Sequence, residues 1–151
     1  MSKTRILVVD DEASARSGLE KLLNQAGYEV TTAADGAIAL DLAAEHAPDL
    51  VLTDLNMPNL DGMSLLSKLR AQDASLPVIV TTAFGNVDEA VEAMRKGAAD
   101  FITKPLTIPA ARIILKERLI TSLAGCSCIS CITCRTANTA FFHCIPGICC
   151  S

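Results

Sequence analysis

The sequence predicts an α/β fold: a doubly wound parallel sheet of five strands with five helices. Two observations carry that prediction. Five short apolar runs rich in β-branched residues alternate with segments of helical period, joined by short connections. Four of the runs lead directly into residues capable of chemistry, namely Asp10-Asp11, Asp54, Thr82 and Lys104. Parallel strands need crossover helices on their faces, and right-handed crossovers leave few topologies for such an alternation.

Ile6–Val9 is an unbroken apolar run, suited to a strand buried on both faces, and it stops at Asp10-Asp11. Ser14–Ala26 carries Ala15, Leu19, Leu22, Leu23 and Ala26 at helical spacing, and Gly27 closes it as a C-cap glycine does. Tyr28–Ala33 alternates and is β-branched, which predicts the second strand. Gly36–His46 sets Ile38, Leu42 and Ala43 on one helical side. Asp49–Thr53 is the third strand, with Asp54 next. Asn56–Gly62 holds a proline, two asparagines and a glycine, the composition of a loop. Met63–Ala71 is the third helix. Pro77–Thr81 is the fourth strand, running into Thr82-Ala83. Val87–Lys96 is the fourth helix, ended by Gly97, and Asp100–Thr103 is the fifth strand, followed by Lys104-Pro105. Pro109 suits the first turn of a last helix, where its missing N–H costs nothing, and that helix runs to about Leu119.

Bulk properties narrow the function. The chain has 151 residues, half of them apolar, enough for one ordinary domain with a real core. Its formal net charge of −4 argues against a general nucleic-acid binder, which needs clustered Lys and Arg. No secretory leader is legible at Met1–Glu12, and no apolar stretch is long enough to span a bilayer, so a cytoplasmic protein without membrane contact is expected. All 17 acidic residues and 12 of the 13 basic ones precede Thr121. The remainder holds only Arg135 as a charge, and all seven cysteines. Two compositions share one chain: residues 3–119 as the domain and 120–151 as a cysteine-rich tail.

In an open α/β sheet, ligands bind outside the carboxyl ends of the strands, where strand order reverses. Asp10, Asp11 and Asp54 brought together there repel one another unless a cation sits between them. Hard carboxylate oxygens suit Mg²⁺, which often bridges to phosphate, and no His or Cys lies in these loops to suggest zinc. The Lys104 ammonium and the Thr82 hydroxyl are donors for an anion at the same edge. Any one of these residues alone reads as ordinary surface; the joint placement is what points to a divalent cation and a phosphoryl group.

Ile6-Leu-Val-Val-Asp-Asp-Glu12, Asp54-Leu-Asn-Met-Pro-Asn-Leu-Asp-Gly62, Thr82-Ala83 and Phe101-Ile-Thr-Lys-Pro105 resemble the receiver domain of bacterial two-component response regulators. The resemblance covers residues 3–119, and Thr82–Phe101 is most similar to receivers of nitrogen-regulator-type transcriptional activators. It implies a flavodoxin-like sheet with strand order 2-1-3-4-5, an order that comes with the family and not from spacing. It implies Asp54 as acceptor of phosphate from a sensor histidine kinase. Mg²⁺ would be held by Asp11 and Asp54, by Asp10 mainly through water, and by the backbone carbonyl of Asn56. Thr82, Lys104 and the backbone N–H of Ala83 would hold the phosphoryl oxygens. Thr82 and Phe101 would form the switch, the Lys104–Pro105 peptide would be cis, and the fourth helix, fifth strand and fifth helix would form the readout surface. The implied partners are the kinase, an output domain or protein target at that surface, and a second copy of the chain. Such a chain is not a turnover enzyme, although it assists its own phosphorylation and dephosphorylation. Phe84, bulky and two residues past Thr82, is a candidate to restrict water at the acyl phosphate.

Other readings compete. Phosphatases or phosphotransferases of the haloacid-dehalogenase type also use a strand-end Asp with Mg²⁺, but typically as Asp-x-Asp after the first strand; here Asp10 and Asp11 are adjacent and the nucleophile candidate follows the third. A receiver-like scaffold that takes no phosphate usually lacks an acid, and none is lost. The chain also fits a piece of a transcriptional activator whose output domain lies elsewhere. In the tail, Cys126, Cys128, Cys131, Cys134, His143, Cys144, Cys149 and Cys150 admit a soft-metal site or a disulfide module. Its near lack of charge and its want of helical period favour a plainer expectation, a truncated, frame-shifted or cloning-derived end rather than an independent domain.

Overall fold

A computed structural model describes residues 3–106. Strand β1 (Arg5–Val9) leads to helix α1 (Ala13–Gln25), then β2 (Glu29–Ala33), α2 (Gly36–His46), β3 (Leu50–Asp54), α3 (Gly62–Gln72), β4 (Val78–Thr82), α4 (Val87–Arg95) and β5 (Asp100–Thr103). The strands form one sheet in the order β2-β1-β3-β4-β5, and all four pairings are parallel. For these nine elements every expected bound falls within one residue of the observed one. The expected fifth helix and the cysteine-rich tail lie outside the described residues.

The central strands are buried on both faces, as their continuous apolar runs require. Each residue of β3 and β4 is buried, whereas the edge strand β2 is buried only at Ala33. The pleat sends alternate side chains to opposite sides. Leu7, Val9, Val51, Val78 and Val80 meet Ala39, Leu65, Leu66, Leu69 and Ala93 of α2, α3 and α4. Ile6, Val8, Leu50, Leu52 and Ile79 meet Leu23 on the other side, with Leu19 and Leu22 packed against them from α1. The core therefore lies in two layers, and the sheet between them is the rigid element that carries the strand ends.

Local signals set the helix limits. The side chains of Asp35, Asp61 and Asn86 accept from the backbone N–H of Ile38, Ser64 and Asp88, capping α2, α3 and α4. Gly27 and Gly97, at φ +95° and +96°, take the left-handed turn that ends α1 and α4. Ala47 takes the same role after α2 at φ +44°, a C-cap that its residue type does not advertise.

Candidate functional site

The register of the sheet assembles the site. Val9 pairs with Thr53, so Asp10 and Asp54 leave neighbouring strands at the same level. Asp54 pairs with Thr81, and Thr82 with Thr103, so each further strand advances the level by one residue and brings Thr82 and Lys104 to the same edge. Asp54 and Thr82 are the last residues of their strands rather than the first of the following loops, so the ladder itself fixes them.

Asp10 is 1% exposed. Its Oδ1 accepts from the Glu12 backbone N–H at 2.9 Å, and its Oδ2 accepts from Lys104 Nζ at 2.7 Å. The same ammonium lies 3.4 Å from Asp54 Oδ2, so Lys104 bridges the two buried acids. Asp11 is exposed and faces the cleft beside them. One carboxylate oxygen from each of Asp10, Asp11 and Asp54 can be chosen so that all lie within 4.8 Å of one another.

Burial pushes the Asp54 carboxyl above its ordinary pKa, and the Asp10 charge adds to this. The Lys104 charge and hydrogen bond, with the Asn56 backbone N–H, oppose the rise without cancelling it. For Lys104, burial alone acts to lower the pKa. The hydrogen bond and charge of Asp10, then those of Asp54, outweigh it and hold the ammonium above the ordinary lysine value. An acid kept off balance by its own burial and by a like charge is primed to gain from an added cation.

The loop after β3 is pressed against its own strand. Leu55 N–H donates to Thr81 O at 2.8 Å, and Gly62 N–H returns to Leu55 O at 2.9 Å. A Cβ at Gly62 would stand 2.3 Å from the Asp54 carbonyl oxygen and 2.8 Å from Leu55 Cα, so only glycine admits this approach. The result is an open cleft of about 550 Å³ beside the acids, lined by Asp11, Asn56, Met57, Asp61, Glu89 and Glu92 among others.

Thr82 is fully buried, and its hydroxyl is occupied by its own loop: Oγ1 donates to Phe84 O at 3.1 Å and accepts from Phe84 N at 3.3 Å. Ala83 beside it is exposed, and Phe101 is half-buried against the core layer of α2–α4. The Lys104–Pro105 peptide is cis. Phe84 is 80% exposed.

Arg16 and Gly62 were not legible as site residues in the sequence. Arg16 Nη1 donates to the carbonyl of Asp10 at 2.7 Å and reaches that of Asp11 at 3.5 Å. A basic residue in the first turn of a helix, where the dipole favours acids, was the available signal. For Gly62 it was the Asp-Gly pair that opens a helix immediately after the loop.

The response regulator receiver domain family matches residues 6–116. The chain belongs to that family. This receiver is 40% identical over 121 residues to the DNA-binding transcriptional regulator NtrC of Escherichia coli, covering 80% of this chain and 26% of that protein. It is 38% identical over 130 residues to the transcriptional regulatory protein PrrA of Mycobacterium tuberculosis, covering 86% of this chain and 55% of that one. The chain thus spans about half or less of these relatives' length. The crystal structure of the NtrX receiver domain from Brucella abortus superposes with a TM-score of 0.74 at 38% identity, covering 77% of this chain and 98% of that one. The receiver resemblance, including its nitrogen-regulator character, and the 2-1-3-4-5 order therefore hold. As a receiver the chain is a phospho-accepting signalling switch of two-component systems, and the haloacid-dehalogenase and scaffold readings gain no support. No helix among the described residues is long and apolar enough to cross a membrane.

Proposed function

We propose that Asp54 accepts a phosphoryl group from a phosphohistidine of a sensor kinase, with Asp10, Asp11, Asp54 and the Asn56 backbone carbonyl as the Mg²⁺ site. The donor set supports this: three carboxylates that approach within 4.8 Å are hard oxygen ligands of the kind Mg²⁺ prefers. A cation held by these residues would supply neutralisation of the charge on the acids and on the incoming phosphoryl oxygens. The chain's own residues do the rest. An Asp54 carboxylate oxygen attacks phosphorus in line as the bond to the histidine nitrogen breaks. Lys104, already 3.4 Å from Asp54 Oδ2, pairs with a phosphoryl oxygen, and the Ala83 backbone N–H donates to another.

Transfer adds about 1.5 to 2 negative charges beside the β3 backbone. Thr82 then exchanges its bonds to Phe84 for one to the phosphate, which frees the loop before α4 and lets Phe101 repack. Moving a population from 1:99 to 99:1 takes ~5.5 kcal/mol of differential binding, and charge-assisted bonds from Thr82 and Lys104 are of the right strength to supply it. The readout surface would be α4 and β5 with the fifth helix expected from the sequence, meeting an output domain, a protein target or a second copy. Val87, Val91 and Met94, at 75%, 44% and 48% exposure, give α4 an exposed apolar stripe. In this reading residues 3–119 act as the cytoplasmic receiver unit of a transcription-regulating system, and no separate substrate is turned over.

The observation that carries the proposal is the bridging of Asp10 and Asp54 by Lys104 at the register-matched strand ends. Incubation with Mg²⁺ and acetyl phosphate, followed by intact-mass analysis, tests it. Wild type gains the mass of one phosphate and Asp54→Ala gains none; equal phosphorylation of both contradicts the assignment.

A further inference from the structure

We propose that Arg16 is a positioning residue for the cation site. It would lock the backbone of Asp10 and Asp11 so that their carboxylates converge on Asp54. The inference rests on the Mg²⁺ reading above and deepens it.

Arg16 is half-buried in the first turn of α1, and its side chain folds back over the end of β1. Nη1 donates to Asp10 O at 2.7 Å and lies 3.5 Å from Asp11 O, so one guanidinium nitrogen spans both peptide units of the acidic pair. Asp10 is then held from several sides. Its backbone N–H donates to Ala33 O at 3.2 Å, and its carboxylate is fixed by the Glu12 N–H and by Lys104. Asp11 is different: it is exposed, it follows the last residue with a ladder bond, and its carboxylate direction depends on the two carbonyls that Arg16 grips.

The placement of the cation strengthens the case. Charge at a helix N-terminus favours acids, yet α1 has no acidic residue in its first turn, and its N-cap residue Glu12 makes no side-chain cap bond. An arginine there works against the helix, and the side-chain hydrogen bonds it makes among the described residues go to the backbone of the acidic pair. Nη1 carries two N–H donors held in a rigid planar group, one for each carbonyl, whereas an ammonium on a flexible stem is less fixed in direction.

Geometry and charge predict opposite signs, and this makes the role testable. A cation close to the site repels Mg²⁺, so if Arg16 acted only through its charge, neutralising it would tighten binding. If it positions Asp11, neutralising it loosens binding. Mg²⁺ affinity is measured by isothermal titration calorimetry on the full chain for wild type, Arg16→Met, Arg16→Gln, Arg16→Lys and Asp11→Asn, with thermal midpoints in EDTA as a check of folding. The expected result is at least about tenfold weaker binding in Arg16→Met and Arg16→Gln, the scale on which groups that orient metal ligands act. Arg16→Lys should show partial recovery, and the EDTA midpoints should lie near wild type. Affinity that is unchanged or tighter in either folded neutral variant overturns the proposal. Absence of Mg²⁺ binding by wild type itself overturns the cation-site reading, and this inference with it; wild-type binding that Asp11→Asn abolishes and Arg16→Met leaves intact overturns this inference alone.

Discussion

Replacing Lys104 by Met removes the cation that bridges Asp10 and Asp54 while keeping most of the side-chain volume. The two carboxylates are 1% and 8% exposed, and with oxygens at most 4.8 Å apart they repel by about 3–4 kcal/mol at an effective dielectric near 20. The Lys104 side chain is 23% exposed, so water and counter-ions recover part of that cost, and a net loss of roughly 2–3 kcal/mol is expected. For a domain of this size that lowers the midpoint of thermal unfolding by about 10–20 °C. The assay is thermal unfolding in EDTA and in excess Mg²⁺, over a series of pH values. Mg²⁺ should restore most of the loss, because a ligand that binds only the folded state stabilises it by mass action. Acidification should narrow the gap as well. The Lys104 pKa is raised on folding, so its contribution is present below the ordinary lysine value and lost only as pH rises through the folded value; at low pH the loss in the variant closes because Asp54, whose pKa is raised, takes up a proton. A variant within about 0.5 kcal/mol of wild type in EDTA, or one indifferent to both Mg²⁺ and pH, refutes the reasoning, since surface substitutions alone give changes of that size.

Three further outcomes follow from the same geometry. Asp54→Asn should unfold at a higher temperature than wild type in EDTA at neutral pH, because burial and the Asp10 charge disfavour the ionised acid; the difference should vanish as pH falls through the raised Asp54 pKa, and a lower midpoint at neutral pH contradicts it. Gly62→Ala places a methyl 2.3 Å from the Asp54 carbonyl oxygen, so urea titration should show a loss of at least about 1–3 kcal/mol together with slower phosphorylation; a loss below that range means the loop moves aside at little cost. Phe84→Ala, at an 80% exposed position, should leave stability within about 0.5 kcal/mol, and a shortened phosphoryl half-life is expected if the ring closes over the acyl phosphate once Thr82 lets go of the loop; an unchanged or longer half-life discards the shielding role.

The fold was legible because the central strands are buried on both faces, which writes them as unbroken apolar runs such as Ile6–Val9. It was legible too because Gly27 and Gly97 mark helix ends with the one residue that takes positive φ freely. Asp10, Asp11, Asp54, Thr82 and Lys104 were visible because each follows or ends such a run. Their convergence was not visible in spacing, since it depends on the strand order and on the one-residue stagger from β3 to β5. Strand order came from the family resemblance. Arg16 was hidden for another reason: it acts through backbone carbonyls, and nothing in residue type or period announces which way a side chain on a half-buried helix face will fold. The bonds of the Thr82 hydroxyl to Phe84 are likewise set by the conformation of the loop and are not announced by residue type.

The central claim is that Asp54, and neither of its two acidic neighbours, becomes the acyl phosphate. Borohydride reduces an aspartyl phosphate to homoserine, so phosphorylation by acetyl phosphate with Mg²⁺, reduction and peptide sequencing by tandem mass spectrometry read the acceptor directly. Homoserine at position 54 alone is the predicted result; homoserine at 10 or 11, or at no position when phosphate has been incorporated, contradicts it.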